Sequence, residues 1–122
     1  MFDERSPIYR QIAGQIENDI LSGALHEEEQ VMSTNQYAAH YRINPATAAK
    51  AFQQLVDDGV LYKKRGIGMF VNSGARDALR ARHRDRFFAE MVEPMMAEAR
   101  AIGIPAKEII QYLDERTNEE TR

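Results

Sequence analysis

The sequence contains no cysteine in its 122 residues, which excludes a disulfide framework, a thiolate metal site and a cysteine nucleophile, and fits a reducing compartment. No apolar run approaches the roughly 20 residues that span a bilayer. The opening Met1-Phe2-Asp3-Glu4-Arg5 lacks the pattern of a signal peptide, so a cytoplasmic location without a membrane partner is expected. Histidine is scarce: none follows the acidic run Glu27-Glu28-Glu29 at ligand spacing, and His83 beside Asp85 makes no metal motif. No metal and no other cofactor is expected. Serine, histidine and aspartate fall in no triad order, and no carboxylate pair sits in an apolar setting. The Gly66-Ile67-Gly68 stretch lacks the third glycine, the Lys-Ser/Thr and the following helix of a phosphate-binding loop. No catalytic residue can be assigned, so the chain is not expected to be an enzyme.

What remains is an ordinary folding composition, with 43% hydrophobic and 29% charged residues. The length suits one small domain with an appendage. The net charge of −3 works against general attraction to phosphate, but the charge is segregated. Lys63-Lys64-Arg65 forms a basic edge while the three glutamates lie elsewhere, on a connection (26–30) expected to face away from any nucleic acid.

Ser6-Pro7 reads as a helix start, with Ser6 capping and Pro7 at the first helical position. Ile8, Ile12, Ile16 and Ile20 then form an apolar stripe with Leu21 beside it, and Gly23 stops the helix. This element is expected to support the core and not to read DNA. Ser33 with Gln36 makes a capping box for a short helix over 34–40, with Tyr37 and Ala38 inward. Tyr41-Arg42-Ile43 turns the chain, and Asn44-Pro45 starts a third helix that Gly59 stops. Its wheel gathers Ala48, Ala51, Phe52 and Leu55 on one side and Ala46, Lys50 and Gln53 on the other, with Thr47 and Gln54 flanking. Val60-Leu61-Tyr62-Lys63 and Met69-Phe70-Val71 predict strands of a hairpin around a basic, glycine-punctuated turn.

Two successive helix starts followed by a basic hairpin outline a winged helix-turn-helix over 31–71, and that points to double-stranded DNA. Ser33, Asn35 and Gln36 would approach the backbone at a helix N-terminus. The small and polar outer face of the third helix can enter a major groove. Lys63, Lys64, Arg65, Gly66 and Gly68 would form a wing on the sugar-phosphate backbone or minor groove. The competing reading is a winged-helix protein-interaction module without direct DNA binding.

These residues resemble the GntR family of bacterial winged-helix transcriptional regulators, in its short-tailed YtrA-type branch. The resemblance is carried by Pro7-Ile8-Tyr9-Arg10-Gln11-Ile12, Ile20-Leu21-Ser22-Gly23, Ile43 through Phe52, Leu55, Gly59-Val60-Leu61 and Arg65-Gly66-Ile67-Gly68-Met69-Phe70-Val71. It implies a homodimer that represses from a palindromic operator, modulated by an unidentified small-molecule effector. Carried over, Asn44, Pro45, Ala46, Thr47 and Lys50 would be the recognition helix, and Arg65, Gly66 and Gly68 the wing. The family's usual Leu-Pro-Ser with an arginine two residues on is replaced by Val31-Met32-Ser33-Thr34-Asn35, so Asn35 stands where a cationic contact is customary. Glu27-Glu28-Glu29 replaces the usual Pro-Gly, and Ile67 occupies a wing position that is often basic.

After Ser73-Gly74, residues 75–101 are strongly helical, with Leu79, Phe87, Met91, Met95, Ala99 and Ile102 in one stripe that Phe88, Val92 and Met96 broaden. Pro94 should kink or divide this helix. A last helix is predicted over 105–116, with Ile109, Ile110 and Leu113 inward. Two helices cannot hide so much apolar surface, so it packs either on the DNA-binding domain or on a second copy; the second is expected, through Leu79, Phe87, Phe88, Met91, Met95, Ile102, Ile109 and Leu113. The arginines at 76, 80, 82, 84 and 86 rotate around the helix and are expected to be solvated, with Arg80 and Arg84 sharing a face. The expected fold is mostly α with a small β-hairpin: a winged helix-turn-helix (1–73) followed by a two- to three-helix dimerisation and effector-sensing tail (74–122).

Overall fold

The structure, a computed structural model, describes residues 6–120. It is mostly α with one two-stranded antiparallel hairpin, and it divides into two compact units meeting between Ala81 and Arg82, inside a helix.

The first unit holds α1 (Ile8–Ser22), α2 (Thr34–Tyr41), α3 (Pro45–Asp57), β1 (Leu61–Lys64) and β2 (Gly68–Val71). It also holds the opening turns of α4 (Ala75–Phe87). The isoleucine spacing of α1 buries Ile12, Ile16 and Ile20 against Ala48, Ala51, Phe52 and Leu55 of α3 in one core. The start of α1 differs from the Ser6 cap expected. Pro7 itself takes the cap position with no side-chain cap bond, because its extended ψ of 142° delays helical geometry until Ile8. Its carbonyl accepts from the amides of Arg10 and Gln11, and the Gln11 side-chain amide donates to the Ser6 carbonyl at 2.7 Å. Gly23 closes α1 at φ 88°, a conformation that favours glycine.

α2 and α3 form as their capping residues require. The Ser33 hydroxyl accepts from the Gln36 amide at 3.1 Å, and the Gln36 side chain accepts from the Ser33 amide at 2.9 Å. Asn44 accepts from the Ala46 amide at 2.8 Å with Pro45 next in the chain. Asp57 and Asp58, unfavourable at a helix C-terminus by charge, accept hydrogen bonds from Gln53 at 2.8 Å and from Gln54 at 3.1 and 3.2 Å.

Tyr37 is buried at the centre of the unit, edge-on to Phe52 with ring centroids 5.5 Å apart, and its hydroxyl donates to Gln15 at 2.7 Å. Burial, with the nearby Tyr41 and Asp19, pushes this phenol from 10.0 up to about 12. An acid whose folded pKa is raised stabilises the fold fully below its unfolded pKa and loses that contribution as pH rises through the folded value. We therefore expect alkaline unfolding that steepens between the unfolded value of 10.0 and about 12. Tyr37→Phe should make the pH dependence of the melting temperature shallower in that window, and an unchanged slope would contradict the assignment.

The hairpin pairs Leu61 with Val71, Tyr62 with Phe70, Lys63 with Met69 and Lys64 with Gly68, so Lys64 and Gly68 are strand residues and not part of the turn. The connection 26–30, expected to be plainly polar, has its second half, together with Val31, lying along β2. The Glu28 amide donates to the Val71 carbonyl at 2.8 Å, the Val71 amide to Glu29 at 2.9 Å and the Val31 amide to Met69 at 3.0 Å. It thereby covers an edge that would otherwise offer unpaired backbone groups.

Leu79, a member of the expected dimerisation stripe, is instead fully buried in the core of the first unit together with Ala75, so it is unavailable to a partner. Arg76 is likewise not a solvated arginine: it is half-buried, and its guanidinium donates to the Leu21 carbonyl at the end of α1, at 3.2 Å.

The second unit contains the rest of α4, a π-helical turn over Phe88–Val92, α5 (Glu93–Ile102) and α6 (Ala106–Glu120). The kink expected from Pro94 takes the form of this wider turn, in which the Glu93 amide donates to the Phe88 carbonyl. Proline supplies no amide and its ring crowds the carbonyl four residues back, so a register wider than α relieves both. Gly103 at φ 81° ends α5, and the Ile104 amide donates to the Ala99 carbonyl at 2.8 Å. Ile110 and Leu113, expected inward, are 58% and 54% exposed, because α5 and α6 enclose only Ala99 fully. No helix among the described residues is long and apolar enough to cross a membrane.

Candidate DNA-binding surface

The turn between α2 and α3 is tight: Arg42 adopts left-handed φ 53°, ψ 53°, and the Ile43 amide donates to the Ala38 carbonyl at 3.0 Å. This sets the first turn of α3 outward. Asn44, Pro45 and Ala46 are exposed, Thr47 is half-buried, and Lys50 and Gln53 are exposed, while Ala48, Ala51, Phe52 and Leu55 are buried. The structure thus brings Asn44, Pro45, Ala46, Thr47 and Lys50 together on the exposed start of one helix. The Asn44 side chain is engaged as a cap, leaving Thr47 and Lys50 to project chemistry from it.

Asn35 is exposed in the first turn of α2, beside Gln36. Ser33 and Gln36 are exposed but occupied by the capping box. What this end offers is an ordered helix N-terminus whose dipole favours an anion.

In the hairpin, Arg65, Gly66 and Ile67 form the turn, closed by the Ile67 amide on the Lys64 carbonyl at 3.0 Å. Gly66 sits third in this turn at φ 80°, where positive φ excludes most side chains. Lys63, Lys64 and Arg65 are exposed. Lys64 differs from its neighbours: its ammonium lies 4.6 Å from the Phe70 ring and 5.9 Å from the Tyr62 ring, which stack on each other.

Two braces of the wing were not visible in the sequence. The Gln30 side chain donates to the Ile67 carbonyl at 3.1 Å and closes over Gly68, where an added β-carbon would lie 2.5 Å from the Gln30 amide nitrogen and push that side-chain end aside; the φ of 148° is what favours glycine there. The Tyr62 hydroxyl donates to the Glu28 carboxylate, and this hydrogen bond raises the phenol's pKa above its ordinary value. A third contact joins helices. The Lys50 ammonium lies 4.1 Å from the Tyr9 ring centroid, and the Arg10 Nε donates to the Tyr9 hydroxyl at 3.2 Å. Only the folded proximity of α1 and α3 reveals it, since neither helix alone marks Tyr9 as more than a core-facing ring.

A helical core, a tight turn into a helix with a polar outer face, and a braced basic hairpin define a winged helix-turn-helix, a DNA-binding class. Within that class the chain belongs to the GntR family of bacterial transcriptional regulators, in its short-tailed YtrA-type branch. The family described as "Bacterial regulatory proteins, gntR family" matches residues 8–71. The HTH-type transcriptional repressor YtrA of Bacillus subtilis is 25% identical over 115 residues, covering 93% of this chain and 88% of YtrA. The chain spans only 27% of the longer curated relatives that match its first half. Among solved structures, a putative transcriptional regulator of the GntR family from Bacteroides thetaiotaomicron is 34% identical with TM-score 0.76, covering 93% of this chain and 98% of that one. The DNA-binding domain of AraR in complex with its operator is 26% identical with TM-score 0.54, over 58% of this chain and 92% of that one.

Proposed function

We propose that this regulator acts as a homodimer that reads a palindromic operator and represses transcription from it, modulated by a small-molecule effector. The observation that carries the reading is the outward start of α3, where Thr47 and Lys50 project from a helix anchored by Phe52 and Leu55. Thr47 and Lys50 then supply base contacts, while Lys63, Arg65 and the exposed α2 terminus at Asn35 position the backbone. AraR was solved on operator DNA, and YtrA is described as a repressor, which supports the same role here.

In this reading the segment 1–73 is the DNA-reading domain, anchored through Leu79 of α4, and the remainder pairs the two copies. The exposed side chains of Phe87, Phe88, Met91, Met95, Ile102 and Leu113 supply the pairing surface, and a twofold pair matches the two half-sites of a palindrome. The effector would occupy the cleft of about 320 Å³ within the second unit, where Met95, Ala99, Ile102, Ile104 and Ile109 are flanked by Glu98 and Glu108.

Gel-shift titration against the chain's own upstream region tests the reading. Lys50→Ala is expected to cost about 1–3 kcal/mol on the preferred site and to relax base preference at one position per half-site. Arg65→Ala should weaken binding alike on all sequences and reduce the slope of log affinity against log salt by about one for each phosphate left unneutralised. Absence of any salt-sensitive, sequence-selective shift by the unmutated chain would overturn the function. Equal effects of both substitutions on specific and random duplexes would overturn the division of roles.

A further inference from the structure

We propose that Tyr9, on the helix assigned only to the core, is a specificity-positioning residue: its ring holds the Lys50 ammonium in the orientation from which lysine reads a base edge. The inference rests on the DNA-reading role of α3 proposed above.

The Lys50 nitrogen stands 4.1 Å from the Tyr9 ring centroid, well inside the roughly 6 Å over which a ring's negative face attracts a cation. The ring is itself held. Tyr9 is half-buried against the core of the first unit, and Arg10 both donates Nε to its hydroxyl at 3.2 Å and places its guanidinium carbon 5.9 Å above the ring. Arg10's hydrogen bond, opposed by modest desolvation and joined by the charges of Arg10 and Lys50, draws the Tyr9 phenol below its ordinary pKa. Two cations are thus gathered on one aromatic side chain at the junction of the first turn of α1 with the second turn of α3.

The consequence for recognition follows from the chemistry of lysine. Its four-carbon stem is flexible, so fixing it on a base costs entropy at the moment of docking. A stem already restrained by a ring loses less. The ammonium carries three N–H donors and the ring face engages the direction of one. The others remain for paired acceptors, which in the major groove are O6 and N7 of guanine. Tyr9 therefore favours a guanine opposite Lys50 without touching DNA itself.

The test measures affinities of the unmutated chain, Tyr9→Leu, Tyr9→Phe, Lys50→Ala and the Tyr9→Leu/Lys50→Ala double variant. The probes are the site selected from a randomised duplex pool, its single-base variants and a scrambled duplex. Tyr9→Leu should weaken the selected site about two- to fivefold, the scale of one exposed cation–ring contact, with the scrambled duplex unchanged. Tyr9→Phe, which keeps the ring and its packing but loses the Arg10 hydrogen bond, should retain most of the wild-type preference, and Tyr9→Leu should add no further loss in the Lys50→Ala background. Equal loss on scrambled DNA, a loss that persists in that background, failure of Tyr9→Phe to rescue, or tighter binding by Tyr9→Leu would each overturn the proposal. A wild-type chain that selects no sequence would instead overturn the DNA reading. The cation–ring pair has its own DNA-free readout: the Lys50 ε-methylene protons should be shifted upfield by the ring current and relax in Tyr9→Leu. Absence of that shift in the unmutated chain would overturn this inference alone.

Discussion

Phe52→Ala is expected to destabilise the DNA-reading unit by about 3–5 kcal/mol, the range for removing a large buried aromatic side chain. Phe52 is 1% exposed, the largest of the fully buried side chains, and meets the Tyr37 ring edge-on at 5.5 Å. Its loss removes apolar burial, opens a cavity and forfeits an aromatic pair between α2 and α3. Small domains have about 5–15 kcal/mol of stability in total, so the variant should melt more than about 10 °C lower. Circular dichroism of the thermal transition checks this. Phe52→Leu, which fills part of the volume, should lose much less. A fall of under about 1 kcal/mol for the alanine variant would mean that the α1–α3 core collapses onto the vacancy and is loosely packed. Because Phe52 lies opposite Lys50 on the wheel, DNA selectivity measured well below the melting transition should survive.

That opposition of faces is the part of the molecule most legible in the sequence. Ala48, Ala51, Phe52 and Leu55 share a side by helical period alone, and Asn44-Pro45 announces where the period begins. Gly66 and Gly68 likewise mark the hairpin, since positive φ leaves few other residues for those positions. What could not be seen are interactions that exist only once distant segments meet. The stretch 28–31 has an acidic, unpatterned sequence and becomes strand-like solely because β2 offers it an edge. Gln30 against Gly68 and Lys50 on Tyr9 are likewise products of packing. The tail shows the other limit of periodicity. Leu79 continues the stripe of Phe87 and Met91, yet the helix changes company midway, and its first turns serve the core of the reading unit. A stripe reports that a face is apolar; it does not report against what.

The remaining members of that stripe lead to the second large effect. In the proposed dimer, Phe88→Asp combined with Met91→Asp is expected to separate the two copies and to lower affinity for a full palindrome by about 10²–10⁴-fold. Phe88 is 52% and Met91 63% exposed in the single chain, and Phe87 meets Phe88 edge-on at 5.6 Å, so a ready apolar surface stands without cover in its own protomer. Fully burying side chains of this kind is worth about 1.5–3 kcal/mol each, whereas an aspartate at the same place brings an unpaired charge into the interface. The loss on DNA should exceed any local change, because a tethered second unit binds at an effective concentration that a free monomer lacks. Sedimentation equilibrium measures the assembly, and titration of a palindrome beside an isolated half-site separates the terms: half-site affinity should stay within about twofold while the palindrome loses its advantage. The melting transition of the first unit should also hold, since neither residue belongs to its core. A variant that remains dimeric would move pairing to another surface, and one that becomes monomeric yet keeps full palindrome affinity would separate operator reading from dimerisation.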